Sequence, residues 1–193
     1  MSSGPAQQPL GPDFERALLF ACEAHRTQLR KGSTVPYISH LMAVASLVLE
    51  YGGDEQQAIA ALLHDAPEDQ GGAAMLERIR NEFGDDVAAL VNDCTEILER
   101  SRLDWSSRKQ AYLAHLSSIT DRAALIAGCD KVHNARNLIT ALELCGPSAF
   151  ERFNGKAAGT KWWYQQLATQ LGPRLPVALQ RELDRLTLRA AEF

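Results

Sequence analysis

The chain has 193 residues, 46% of them hydrophobic and 23% charged, which is the profile of a soluble globular protein long enough for one domain with a substantial core. Its formal net charge of −4 excludes the broad basic field that nucleic-acid binding over a large surface needs, and leaves room for a local basic pocket that takes a small anion. No signal peptide and no apolar run long enough to span a bilayer is present, so the protein is expected in the cytoplasm with no membrane partner.

In chain order, "MSSGPAQQPLGP" (residues 1–12) reads as a disordered leader, and residues 13–193 as one domain. Asp13 is placed to cap a first helix in which Phe14, Ala17, Leu18, Ala21, Cys22 and His25 share a face. "RKGSTVP" breaks the chain. A second helix is expected from Tyr37 to Tyr51, stopped by Gly52-Gly53. Asp54 and Gln57 form a capping box for a third, which carries Ala58, Leu62 and Leu63 into His64-Asp65.

Met75, Leu76, Ile79 and Phe83 mark a fourth helix, stopped by Gly84, and Val87, Leu90, Val91, Cys94 and Leu98 mark a fifth. A sixth starts near Ser106 or Ser107, and a long apolar seventh runs from Asp121 to Leu144. Two more follow, around Trp162 to Leu171 and Ala178 to Ala191. No segment alternates with period two, so the expected fold is all-α, a helical bundle of about nine helices. Cys22, Cys94, Cys129 and Cys145 form no CxxC pair and read as buried, reduced thiols.

Three polar clusters interrupt this apolar pattern. His40 shares a helix face with Val44, Leu47 and Tyr51 and so points inward; alone it reads as a core histidine. "HDAPED" puts His64, Asp65, Glu68 and Asp69 directly after a buried helix. Asp130 follows the apolar run Leu125–Cys129, with Asn134 and Asn137 on the same face at later turns. An unpaired carboxylate there would cost several kcal/mol. Together the clusters offer His40, His64, Asp65 and Asp130, a nitrogen and oxygen donor set without sulfur that suits Mn²⁺, Fe²⁺, Zn²⁺ or Mg²⁺.

The spacing His40, His64-Asp65, Asp130 resembles the H…HD…D signature of the HD-domain metal-dependent phosphohydrolases. "RKGSTVPYISHLMAVASLV", "AALLHDAPED" and "DKVHNARNL" look like the hydrolase domain of the RelA/SpoT enzymes and their small stand-alone relatives, over about residues 13 to 145. The resemblance implies hydrolysis of the 3′-pyrophosphate of (p)ppGpp, a nucleotide partner, and one divalent metal ion, Mn²⁺ first, held by His40, His64, Asp65 and Asp130. It implies that Glu68 and Asp69 handle the attacking water. Arg30 and Lys31 would contact the nucleotide, Tyr37 would line the pocket, and Asn134 would touch the ribose or the metal shell. By spacing alone His133, three residues from Asp130 and next to Asn134, is placed to support that shell.

Pro67, Gln70, Ala127 and Asn137 depart from residues common in that family, at the pocket wall more than at the metal set. The same constellation would serve other phosphate esters, such as nucleoside monophosphates or the 2′-phosphate of NADPH, or a module that binds without turnover. The acid pair speaks against the last. Trp162-Trp163-Tyr164 reads as core or a partner contact, His25 as a core histidine, and His115 as a surface residue. With the chain ending at Phe193 no synthetase region is expected, and the oligomeric state is left open.

Overall fold

The computed structural model describes residues 9–96 and 104–193. The first eight residues of the leader, and Leu98, lie outside the described residues. The described residues form ten α-helices and no strand: α1 (Pro12–Ala24), α2 (Ile38–Glu50), α3 (Glu55–Leu63), α4 (Ala66–Gln70), α5 (Gly72–Phe83), α6 (Asp85–Cys94), α7 (Trp105–Leu116), α8 (Asp121–Cys145), α9 (Lys156–Gln170) and α10 (Val177–Ala191). Nine match the expected helices. The tenth is the short α4, which starts afresh at Ala66 with Pro67 in its first turn, because a proline is tolerated there but not in a helix interior.

The centre of the fold is α3, whose residues from Gln57 to Leu63 are all buried. A helix apolar all round belongs inside a bundle, and α3 packs against α1, α2, α6 and α8. The capping box forms as read: Gln57 N–H donates to Asp54 Oδ1 at 2.9 Å, and Asp54 N–H donates to Gln57 Oε1 at 3.0 Å. The Gln57 carboxamide then donates to the Arg122 carbonyl at 2.9 Å, which ties the start of α3 to the start of α8.

Helix α8 is the long strut, packed on α2, α6 and α10. Thr120 caps it through a 3.2 Å bond from Ala123 N–H. On its outer side Arg136 forks onto Glu182 of α10 at 2.8 and 2.9 Å. Among the described residues no helix is long and apolar enough to cross a membrane.

Two local expectations are corrected. Asp13 does not cap α1: Gly11 is the N-cap and Pro12 takes the first turn, while Gly11 N–H donates to the Glu55 carboxylate at 2.6 Å. Of the four cysteines, Cys94 and Cys129 are buried, but Cys22 and Cys145 are exposed. Cys22 lies on the outer face of α1 and Cys145 at the open end of α8, so apolar neighbours in sequence did not mean burial.

Candidate metal centre and its cavity

The end of α3, the start of α2 and the middle of α8 meet at one buried point. His40 Nε2 lies 3.4 Å from Asp65 Oδ2 and 3.2 Å from Asp130 Oδ1. His64 Nε2 lies 3.2 Å from Asp65 Oδ2 and 3.8 Å from Asp130 Oδ1. His40, His64 and Asp65 offer donor atoms that all fall within 4.8 Å of one another. Both histidines are buried, and neither Nε2 makes a hydrogen bond. Two orphaned imidazole nitrogens in a protein interior call for a partner.

The other ring nitrogens explain the orientation. His64 Nδ1 lies 2.8 Å from the Ala61 carbonyl, and since a carbonyl can only accept, Nδ1 donates to it and the ring is held with Nε2 toward the acids. His40 Nδ1 is 2.7 Å from His133 Nδ1. This is how ligating histidines are commonly held, with the remote nitrogen fixed by an outer partner. The donor set therefore fits a divalent cation. Burial disfavours charge on both acids, yet His64 outweighs it at Asp65 and Lys131 at Asp130, and both carboxyls sit well below their ordinary range. Lys131 Nζ reaches Asp130 Oδ2 at 2.6 Å.

The residues read as substrate contacts occupy different places. The Tyr37 hydroxyl donates to Asp65 Oδ2 at 2.6 Å, and burial followed by Asp65 raises its pKa. Arg30 donates to Asn134 Oδ1 at 2.5 Å and lies over the Tyr37 ring. Asn134 in turn donates to Asp130 Oδ1. Lys31 is exposed and reaches outward to Asn154 Oδ1 at 3.3 Å, away from the histidines. Glu68 and Asp69 lie on α4, where Asp69 N–H returns to the Asp65 carbonyl at 3.0 Å and keeps the acid pair in register with Asp65. The Glu68 carboxylate accepts the Glu96 backbone N–H. Asp69 Oδ2 accepts from Gln28 Nε2 at 2.8 Å.

Beside this point opens a cavity of about 1080 Å³. Its wall includes Arg30, Lys31, Arg108, Lys109, Lys131 and Arg152 against Asp65, Asp69 and Glu96, so it suits an anion although the chain as a whole is acidic. Lys109 bonds Glu96 Oε2 at 2.7 Å and stands over the Trp163 ring, where burial lowers its pKa. Trp163 and Tyr164 are buried and line the same wall.

Sequence reasoning missed Gln28, Lys109 and Lys131. Lys131 carried a signal, because it directly follows a buried acid. Gln28 and Lys109 carried none, because each meets the site across a long stretch of chain. His25 is a core histidine, 3% exposed and stacked on Tyr37. His115 is half-buried and hydrogen-bonded to the Asp93 carbonyl at 3.1 Å, so only part of it reaches the surface.

The chain matches the HD domain family over residues 17–173. It is 34% identical over 128 residues to the guanosine-3′,5′-bis(diphosphate) 3′-pyrophosphohydrolase MESH1 of Drosophila melanogaster, covering 65% of this chain and 69% of that protein. A probable enzyme of the same name from Synechocystis is 34% identical over 165 residues, covering 81% of this chain and 20% of that protein. The chain thus spans about a fifth of the length of that bacterial relative. A solved structure of a metazoan ortholog of SpoT that hydrolyzes ppGpp superposes with a TM-score of 0.76 at 28% identity, covering 94% of this chain and 96% of that one.

Proposed function

The chain belongs to the HD domain family, and from that premise we propose that it is a metal-dependent phosphohydrolase that removes the 3′-pyrophosphate of a guanosine 3′,5′-bis(diphosphate). The observation that carries the reading is the pair of buried, unbonded Nε2 atoms of His40 and His64 facing the Asp65 and Asp130 carboxylates, beside an acid pair and a cationic cavity. His40, His64, Asp65 and Asp130 would hold one divalent ion, Mn²⁺ in our reading. When bound, such an ion supplies a water of lowered pKa and neutralises charge on phosphoryl oxygens.

The chain's own groups do the rest. Glu68 and Asp69 stand one helical turn beyond Asp65 and would take the proton of the attacking water. The water oxygen bonds to the phosphorus carried by the ribose 3′ oxygen, the bond from that phosphorus to the 3′ oxygen breaks, the 3′ oxygen takes up the proton the water gave to the acid pair, and GDP and pyrophosphate part. Such transfers need positioning and charge neutralisation more than covalent help from the protein. Arg30, Lys109 and Lys131 supply positive charge along the cavity, and Lys31 stands at its rim. Asn134 bridges Arg30 and Asp130 and so couples the substrate wall to the metal ligands. Tyr164 and Trp163 offer apolar wall for the nucleoside.

Purified protein incubated with Mn²⁺ and ppGpp should yield GDP and pyrophosphate, and Asp65→Ala should yield neither. Nucleoside monophosphates and NADPH belong in the same assay. Turnover of one of these with none of ppGpp would move the substrate assignment and keep the chemistry. Undiminished turnover by Asp65→Ala would sink the metal mechanism.

A further inference from the structure

Gln28 sits in the segment after α1 and carries no charge, yet three polar side chains converge on it. Its Nε2 donates to Asp69 Oδ2 at 2.8 Å. Its Oε1 accepts from His25 Nδ1, 2.7 Å away, and from Gln70 Nε2. A carboxamide oxygen can only accept, so two donors on that side leave one orientation of the amide, with the NH₂ toward Asp69. His25 cannot swing away, being 3% exposed and stacked on Tyr37 with ring planes 15° apart. Gln70, one of the departures from the family pattern, thereby gains a partner inside the site.

We infer that Gln28 is a positioning residue that fixes the rotation of the Asp69 carboxylate, with His25 and Gln70 fixing Gln28. A carboxylate turns easily about its last torsion. Anchoring Oδ2 leaves Oδ1 in one place to receive a proton or hold a water. Glu68 is anchored separately, by the Glu96 N–H, so the two acids of α4 are held from opposite sides by distant segments. A purely structural role fits poorly. Gln28 and Asp69 are half-buried and line the cavity, where one hydrogen bond adds little to stability.

The kinetic arm of the test rests on the proposed hydrolase reading; the spectroscopic arm does not. Gln28→Glu keeps the shape and loses both N–H donors, and Gln28→Ala removes the group. Both should lower kcat by about tenfold to a hundredfold, with KM, metal content and melting temperature close to those of the parent. Full kcat in Gln28→Glu would overturn the proposal. Independently of turnover, the Gln28 side-chain amide signals in ¹H–¹⁵N spectra should move in Asp69→Ala and in Gln70→Ala. Unmoved signals in Asp69→Ala would overturn it as well. A parent protein that hydrolyses no nucleotide while the signals move would refute the hydrolase reading and keep the Gln28–Asp69 link.

Discussion

The Nδ1 atoms of His40 and His133 stand 2.7 Å apart. One must donate and the other accept. Burial, then the neighbouring His40 and Arg30, push the His133 imidazole down to about 4, so it is neutral near neutral pH. Whichever ring donates, the contact holds the His40 ring with Nε2 turned toward Asp65 and Asp130. His133→Ala removes that restraint and should weaken divalent metal binding by about 10- to 100-fold. Titration calorimetry with Mn²⁺ measures it, and unchanged affinity would remove His133 from the outer shell.

Glu68→Gln keeps the shape of the side chain and an oxygen able to accept the Glu96 N–H. It loses the negative charge and with it the ability to take a proton. We expect kcat to fall about 10²- to 10⁴-fold while Mn²⁺ affinity holds. Loss of metal binding in parallel would mean that Glu68 is a ligand and not the base.

Gly53 lies where α2 gives way to α3. A Cβ there would stand 2.4 Å from Val48 Cγ1 and 2.8 Å from the Val48 carbonyl oxygen. The carbonyl also accepts the Gly53 N–H at 2.8 Å, so it cannot retreat without breaking that bond. Gly53→Ala should destabilise the protein by about 1–3 kcal/mol, a fall of several degrees in melting temperature. An unchanged melting curve would show that the turn has room the structure does not display.

The clasp between α8 and α10 predicts an acid response. The hydrogen bond from Arg136 is the chief cause that holds the Glu182 carboxyl below its ordinary value. A carboxyl depressed in the folded state stabilises above its unfolded pKa and loses that stabilisation as pH falls through the folded value. Glu182→Gln should therefore melt lower than the parent at pH 7, by roughly 1 kcal/mol or less because Arg136 is 44% exposed. The gap should close between about pH 5 and 3. A gap constant over that range would mean that the contact acts by packing alone.

Much of this was legible in the chain because helical period and capping are local. The capping box at Asp54 and Gln57 formed as read, and the apolar stripes of α2, α5 and α8 faced inward. The four residues of the proposed metal set stood out in the sequence as polar groups within or directly after apolar helical stretches. What stayed hidden was everything assembled across distance. Nothing near Gln28 says that it meets Asp69, and nothing near Lys109 says that it faces the cavity. The acidic overall charge concealed a basic pocket for the same reason, since cations from α7, α8 and the segment after α1 gather only in three dimensions. Helix α4 was hidden differently: its five residues are too few to show a period.

That small helix separates two kinds of change open to the protein. His40, His64 and Asp130 are embedded in helices that also build the core, so altering their placement disturbs the bundle. The acids ride on a segment opened by Pro67 and closed by Gly71 and Gly72, in which only Ala66 and Pro67 are buried. It is a separable element: Gln70, its exposed residue, can be varied while the scaffold, the proposed ligand set and the two acids stay as they are. New hydrolytic preferences are best sought at Gln70 together with Gln28, which bonds both Gln70 and Asp69.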